Sequence, residues 1–309
     1  MQAKKLLLPA AFVLLILAAC EKQGDVAVKP AASTPDTIRY SGGESSSADT
    51  CGTYTANTSD NSHILLGNPS SAQPCIEFPA NYLIDRDYWI GSYNSLRGGP
   101  NWVSWHLQAS DVGSSGRTDD FRADTELPST FYQVQSTSFT SSGFDRGHNC
   151  PSGDRTSSVD ANEATFLMSN MIPQAPNNNQ KAWATFEDYT RNTLAGSANE
   201  CFIVMGSYGT GGTGSAGAAT TIDGGNVTVP RKVWKVVVVI PIGDNDLSRI
   251  TSSATVVAID TPNDNTTVST NWKEYITTVK AIEDSTGYSL LSNLPTDVQT
   301  ALKSKVYVP

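Results

Sequence analysis

The chain reads as a single α+β domain behind an N-terminal export segment, and three observations lead there. Its strongest apolar segments, residues 201–205 and 233–240, are continuous rather than alternating, which suits strands of a central sheet covered on both faces. Helical patterns occur among such strands without a regular β–α alternation. About 260 residues remain after the polar N-terminal stretch, enough for one large domain, and no internal repeat divides them.

The export segment comes first. Lys4 and Lys5 precede an apolar run over residues 6–17, too short to span a bilayer comfortably. The run closes on Leu17, Ala18, Ala19 and Cys20. Small residues before a cysteine resemble the lipobox of bacterial lipoproteins, in which the signal is cut ahead of the cysteine and its thiol carries lipid. Ordinary cleavage near Ala19 is the alternative. Residues 1–19 are thus expected to be a lipoprotein signal, and residues 20–50 a lipidated Cys20 and flexible tether. The tether is rich in Ser, Pro, Ala, Gly and Thr and cannot bury enough apolar surface to offset the entropy of ordering. The folded domain is expected over residues 51–309. The expected location is the cell envelope, on its periplasmic or outer face, or outside the cell, with membrane contact through the N-terminal lipid only.

Within the domain, Trp102, Val103 and Trp105 mark a strand over residues 102–107, and residues 131–134 a shorter one. Residues 165–168, 201–205, 233–240 and 254–259 read as further buried strands. Trp183, Phe186, Thr190 and Leu194 recur close to helical spacing over residues 179–194, ahead of Gly196. Trp272, Ile276, Val279 and Ile282 predict a second helix, stopped by Gly287. Thr296 and Asp297 are candidate caps for a last short helix.

Removing Lys4 and Lys5 with the signal leaves 19 basic against 30 acidic residues, a net charge of −11. That opposes tight non-specific adhesion to nucleic acid, and so a packaging or coating role. It leaves room for a locally positive cleft. Besides Cys20, the cysteines are Cys51, Cys75, Cys150 and Cys201. An even number in an exported chain suggests disulfides. Cys51 with Cys75 is the first choice, since both lie in the turn-rich N-terminal part, which leaves Cys150 with Cys201. Free, buried thiols are the alternative.

The stretch from Gly209 to Gly214 matches the dinucleotide pattern G-x-G-x-x-G, but no helical pattern opens on its third glycine, so that reading is rejected. His63 and His106 read as structural, and no histidine pair has close zinc-ligand spacing. His148 stands apart, in Asp145, Arg146, Gly147, His148, Asn149 and Cys150. A polar turn and a histidine base beside a phosphate-binding arginine are both open at that point. A Cys150–His148 thiol protease is a lesser alternative. Downstream, Asn170, Pro173, Gln174 and the run Asn177, Asn178, Asn179 lead into the Trp183 helix. They read either as helix caps or as oxygen donors for a hard metal such as magnesium.

Together these segments resemble the DNA/RNA non-specific endonuclease family of ββα-metal nucleases. The resemblance rests on the Asp-Arg-Gly-His motif at 145–148, the Asn-Met-x-Pro-Gln segment from Asn170, and the Asn-Gln-x-x-Trp helix start at Asn179. Further similar segments run from residue 66 to the C-terminal part of the chain. The resemblance implies a central, mostly antiparallel sheet with helices on its faces. It also implies cleavage of DNA and RNA to 5′-phosphate products with magnesium, for which manganese can substitute. His148 would be the general base and Asn179 the direct metal ligand. Arg146 would contact phosphate, Glu187 would lie near the metal's water shell, and Asn170 would support the site. An upstream phosphate-binding arginine is best matched by Arg117, with Arg122 as its rival. A histidine base at its ordinary pKa of roughly 6.5 predicts activity rising with pH through that region. The alternative is a catalytically inactive nucleic-acid- or partner-binding lipoprotein of the same fold, against which the intact His148, Arg146 and Asn179 argue.

Overall fold

The computed structural model describes residue 51, residues 54–266 and residues 269–309. The expected signal, Cys20 and tether lie outside the described residues. Among the described residues no helix is long and apolar enough to cross a membrane.

In chain order the main strands are β1 (Tyr82–Asp85), β2 (Ile90–Asn94), β3 (Gly99–Leu107), β4 (Asp145–His148), β5 (Met171–Gln174), β6 (Asn199–Tyr208), β7 (Lys232–Pro241), β8 (Thr255–Pro262) and β9 (Ile276–Thr277). All but β4 and β5 join one sheet in the order β1-β2-β3-β6-β7-β8-β9. Every neighbouring pair in it is antiparallel. The helices are α1 (Val159–Ala164), α2 (residues 178–195), α3 (Asp246–Arg249), α4 (Val279–Thr286) and α5 (Thr296–Lys303). The chain therefore has the α+β architecture expected.

The continuous apolar runs are explained by burial on both sides. Ile203 and Met205 of β6 and Val237 of β7 pack with Trp183, Phe186 and Leu194 of α2. Their chain neighbours Phe202, Val204, Val236 and Val238 turn to the opposite face, onto Val279 and Ile282 of α4 and Leu302 of α5. Successive side chains of a strand alternate between faces, so apolar residues at nearly every position are needed to serve two cores.

Several local expectations are corrected. Residues 165–168 are not a strand. Ser158 accepts a hydrogen bond from the Ala161 N–H at 3.1 Å and caps α1, which carries the chain to Thr165, whose hydroxyl donates to the Asn162 carbonyl at 2.7 Å. The strand begins six residues later, as β5. Residues 131–134 are irregular, with Phe131 against the Tyr82 ring at 5.3 Å. The helix expected from Trp272 to Ile282 is three pieces: a tight turn over Trp272–Tyr275, β9, and then α4, capped by Thr278. Gly287, at φ +75°, ends α4 in the left-handed conformation a glycine adopts without strain. The last helix starts after Pro295, with Thr296 already inside it.

Cys51 and Cys75 are disulfide-bonded, with Cα atoms 5.2 Å apart. The Cys150–Cys201 bond is not formed. Both thiols are free and fully buried in the core shared with α2, where they fill apolar space.

Candidate active site

The Asp-Arg-Gly-His motif forms β4, paired antiparallel with β5 so that Asp145 faces Gln174 and His148 faces Met171. The glycine is needed for this pairing. A Cβ on Gly147 would stand 2.2 Å from Gln174 Oε1, so only a bare backbone lets the Gln174 side chain cross it. β5 leads directly into α2, which opens unusually wide. The Ala184 N–H reaches back five residues to the Asn179 carbonyl, a π-type turn of the kind frequent at functional sites.

Two asparagine clamps fix these elements. Asn170, fully buried, accepts the Cys150 N–H at 2.9 Å through Oδ1 and donates through Nδ2 to the Cys150 and Thr165 carbonyls at 2.9 and 2.8 Å. It thus holds the chain just past His148. Asn263, beyond β8, accepts the Ala175 N–H at 2.6 Å and donates to the Pro173 carbonyl at 2.9 Å. Asn265 accepts the Asn177 N–H at 2.7 Å. These contacts set the turn between β5 and α2, and with it the position of Asn179.

Asn179 donates through Nδ2 to Asp145 Oδ2 at 2.9 Å, and Gln180 donates to the same oxygen at 2.8 Å. With its nitrogen engaged, Asn179 leaves Oδ1 without a donor among the described residues. Arg117, Phe121, Phe139, Asp145, Arg146 and Asn179 line one cleft of about 360 Å³. The Arg146 guanidinium lies 4.0 Å from the Phe121 ring centre, and that of Arg117 lies 4.8 Å from the Phe166 ring centre. His148 packs on the same two rings, at 5.6 and 5.0 Å. Its Nε2 is shielded from solvent and has no partner among the described residues. Burial, then the charges of Arg117 and Arg146, hold the His148 pKa down to about 3. The imidazole is therefore neutral at physiological pH, an acceptor beside two cations.

The structure separates the two candidate arginines. Arg117 donates to Ser152 Oγ at 2.9 Å and lies in the cleft near His148. Arg122 is held by Asp120 Oδ2 at 2.7 Å and the Glu163 carbonyl at 3.1 Å, and does not line this cleft. Glu187 is placed apart from the cleft lining, with Oε1 3.1 Å from Lys235 Nζ. His63 and His106 are structural: the His106 N–H donates to His63 Nδ1 at 3.1 Å, and His106 Nε2 lies 2.9 Å from Glu200 Oε2. The thiol-protease alternative fails because burial pushes the Cys150 thiol up to about 12, leaving no thiolate to act. The glycine-rich segment makes a small hairpin of Gly212–Gly214 with Gly217–Ala219, with no helix opening on it.

A neutral histidine with a free ring nitrogen, two arginines and an unengaged amide oxygen can take a proton, bind phosphate and offer one ligand to a hard cation. The amide oxygen fits such a cation, which takes its other ligands from water and substrate. A two-stranded hairpin passing into a helix, with the histidine on the first strand and the asparagine at the helix start, defines the ββα-metal class of nuclease folds. The comparisons agree. The DNA/RNA non-specific endonuclease family model matches residues 68–297. A nuclease of a Nostoc species is 42% identical over 244 residues, covering 79% of this chain and 85% of that protein. Nuclease C1 of Cunninghamella echinulata is 31% identical, covering 78% of this chain and 92% of the relative. A crystal structure of the EndoG/EndoGI complex superposes with a TM-score of 0.60 at 21% identity, over 75% of this chain and 91% of that one, and so supports the fold. The chain belongs to the DNA/RNA non-specific endonuclease family.

Four residues escaped the sequence reading. Phe121 and Phe166 were visible only as ordinary apolar residues. Asn263 sits in an Asn- and Asp-rich turn with no chemical signature. Lys235 carried a usable signal, as the single charged residue inside the 233–240 apolar run.

Proposed function

We propose that the protein is a magnesium-dependent endonuclease that hydrolyses DNA and RNA with little sequence preference and leaves 5′-phosphates. The observation that carries this reading is the juxtaposition of the solvent-shielded, unpartnered His148 Nε2 with a cleft holding Arg117, Arg146 and Asn179. Asn179 Oδ1 would be the protein's ligand to the cation. When bound, a divalent cation supplies positive charge at the scissile phosphate and at the departing 3′ oxygen. His148 Nε2 takes the proton of the attacking water. Arg117 and Arg146 bind non-bridging phosphate oxygens, and their stacking on Phe166 and Phe121 holds them in place. Phosphate contacts carry no base information, which accounts for weak sequence preference.

The test is digestion of plasmid DNA and of RNA with magnesium, with manganese and with EDTA, by wild type and His148→Ala. The general base is worth about 10²–10⁴-fold, so the variant should lose at least that while retaining manganese binding. Wild-type cutting in EDTA, or a fully active His148→Ala protein, would overturn the assignment. Export and lipidation at Cys20 belong to the same proposal, supported by the lipobox-like residues 17–20.

A further inference from the structure

The turn from Arg117 to Phe121 brings a carboxylate into a cleft that has to take a polyanion. Asp119 lines that cleft together with Arg117, Arg146 and Asn179. Its Oδ1 accepts the Arg117 Nε–H at 2.7 Å, and Arg117 Nη1 donates to Ser152 Oγ at 2.9 Å. Two of the three guanidinium nitrogens are thereby engaged, and Nη2 has no acceptor among the described residues. The partners of Arg117 are themselves held. Fully buried Asn162 accepts the Thr118 N–H at 3.0 Å and donates to the Ser152 carbonyl at 2.9 Å, so the backbone beside Arg117 and its Ser152 partner share one support. Asp119 stands at φ +53°, in the left-handed region that aspartate and asparagine tolerate better than other residues with a side chain. Its carbonyl accepts the Phe121 N–H at 2.9 Å and closes a three-residue turn. The Phe121 ring in turn carries the Arg146 guanidinium at 4.0 Å. One turn therefore supports both arginines, Arg117 through a carboxylate and Arg146 through an aromatic ring.

We propose that Asp119 is a positioning residue that acts through Arg117, holding Nε so that Nη2 is presented to a phosphate oxygen. The inference rests on the nuclease reading above, in which Arg117 binds substrate phosphate. The Arg117 and Asp119 side chains are 50% and 62% exposed, and an ion pair of that exposure adds little to stability. A carboxylate in the cleft also repels a polyanion. Neither stability nor substrate attraction accounts for Asp119, whereas orientation does. A free arginine side chain spreads over many rotamers, and ordering it is costly. A guanidinium already fixed at two nitrogens gives up little further freedom when phosphate arrives.

The experiment compares Asp119→Asn with Asp119→Gly and adds a double-mutant cycle of Asp119→Gly with Arg117→Ala, all in the full chain. Its readouts are kcat and KM on duplex DNA at saturating magnesium, with urea unfolding as the control for the fold. Glycine takes the left-handed backbone freely and removes the acceptor, while asparagine keeps both that backbone and an oxygen for Arg117 Nε. Asp119→Gly should lower kcat/KM by about tenfold, within what a displaced group in an active site costs. Its urea midpoint should stay near that of wild type, because the pair is exposed. Asp119→Asn should recover most of the loss. In the Arg117→Ala background, Asp119→Gly should change kcat/KM by less than about twofold, because its effect is already lost. Repulsion alone predicts the opposite sign, a kcat/KM that rises when the carboxylate is removed. An unchanged or raised kcat/KM in Asp119→Gly would overturn the proposal while leaving the nuclease reading intact. So would an equal loss in Asp119→Asn, or losses that multiply in the double variant. Wild-type protein without magnesium-dependent cutting would instead remove the reading on which the proposal depends.

Discussion

Asp145 Oδ2 accepts a hydrogen bond from Asn179 Nδ2 at 2.9 Å, joining the first residue of the Asp-Arg-Gly-His strand to the first turn of the helix that follows. The bond fixes which end of the amide faces the cleft. Asp145→Ala should let the amide turn and should weaken metal affinity and activity by about 10–100-fold. Excess magnesium should restore part of the rate. Manganese titration and magnesium-dependent kinetics check this, and an unchanged metal requirement would show that Asp145 does not set the amide.

The acidity of His148 bears on the pH profile. The sequence alone suggested activity rising through pH 6.5, whereas burial and two arginines hold this histidine down to about 3. The profile of kcat/KM reports groups of the free enzyme. At saturating magnesium it should therefore lack a histidine break near 6.5. A break there that moves upward in Arg146→Ala, where a charge that lowers it is gone, would show instead that His148 titrates near its ordinary value.

The two arginines make a paired test. Arg117→Ala should reduce kcat/KM by roughly tenfold to a hundredfold, as loss of a charged hydrogen bond implies. It should also lower the slope of log affinity against log salt by about 0.9 on duplex DNA. Arg122→Ala should leave both near wild type, because its guanidinium is engaged by Asp120 and Glu163 outside the cleft. Nuclease assays at several salt concentrations check both, and equal losses would return Arg122 to the site.

Acid should destabilise the fold earlier than carboxylates alone would require. Burial lowers His63 to about 3, His106 to about 4 and His148 to about 3. All three lie below the unfolded value of roughly 6.5, so the unfolded chain binds protons that the native one refuses. The stability is fully present above pH 6.5 and is lost as pH falls through 6 and 5 toward the folded values. Each such proton gives a slope of up to about 1.4 kcal/mol per pH unit. Glu187 and Glu200, both raised by burial, work in the opposite sense nearer the carboxylate range. Urea unfolding between about pH 5.5 and 6.5 is the measurement, and a flat stability there would contradict the burial of these histidines.

Cys20→Ser should move the protein from the membrane fraction to the soluble fraction without loss of nuclease activity. One acyl chain binds a membrane only marginally, so stable anchoring calls for more than one. Unchanged fractionation together with an N-terminal peptide free of lipid mass would exclude the anchor.

The sequence by itself determined the sheet strands of greatest burial, the long helix over residues 178–195, and the Asp145–His148 and Asn179 pair of motifs. Each is a local signal: a continuous apolar run, a helical spacing, or a short string of chemical side chains. Tertiary structure decided the rest, because those choices depend on contacts distant in sequence. Arg117 and Arg122 are near neighbours with the same chemistry, and only the packing of Phe121 and Phe166 sends one of them into the cleft. Cys150 and Cys201 carry no mark of their partner, and the core leaves both as thiols. Asn263 reaches back 90 residues to hold Pro173, and Lys235 reaches back 48 to hold Glu187. A histidine's pKa is likewise set by what surrounds it, and the aromatic walls and arginine charges around His148 come from segments that meet it only once the chain has folded.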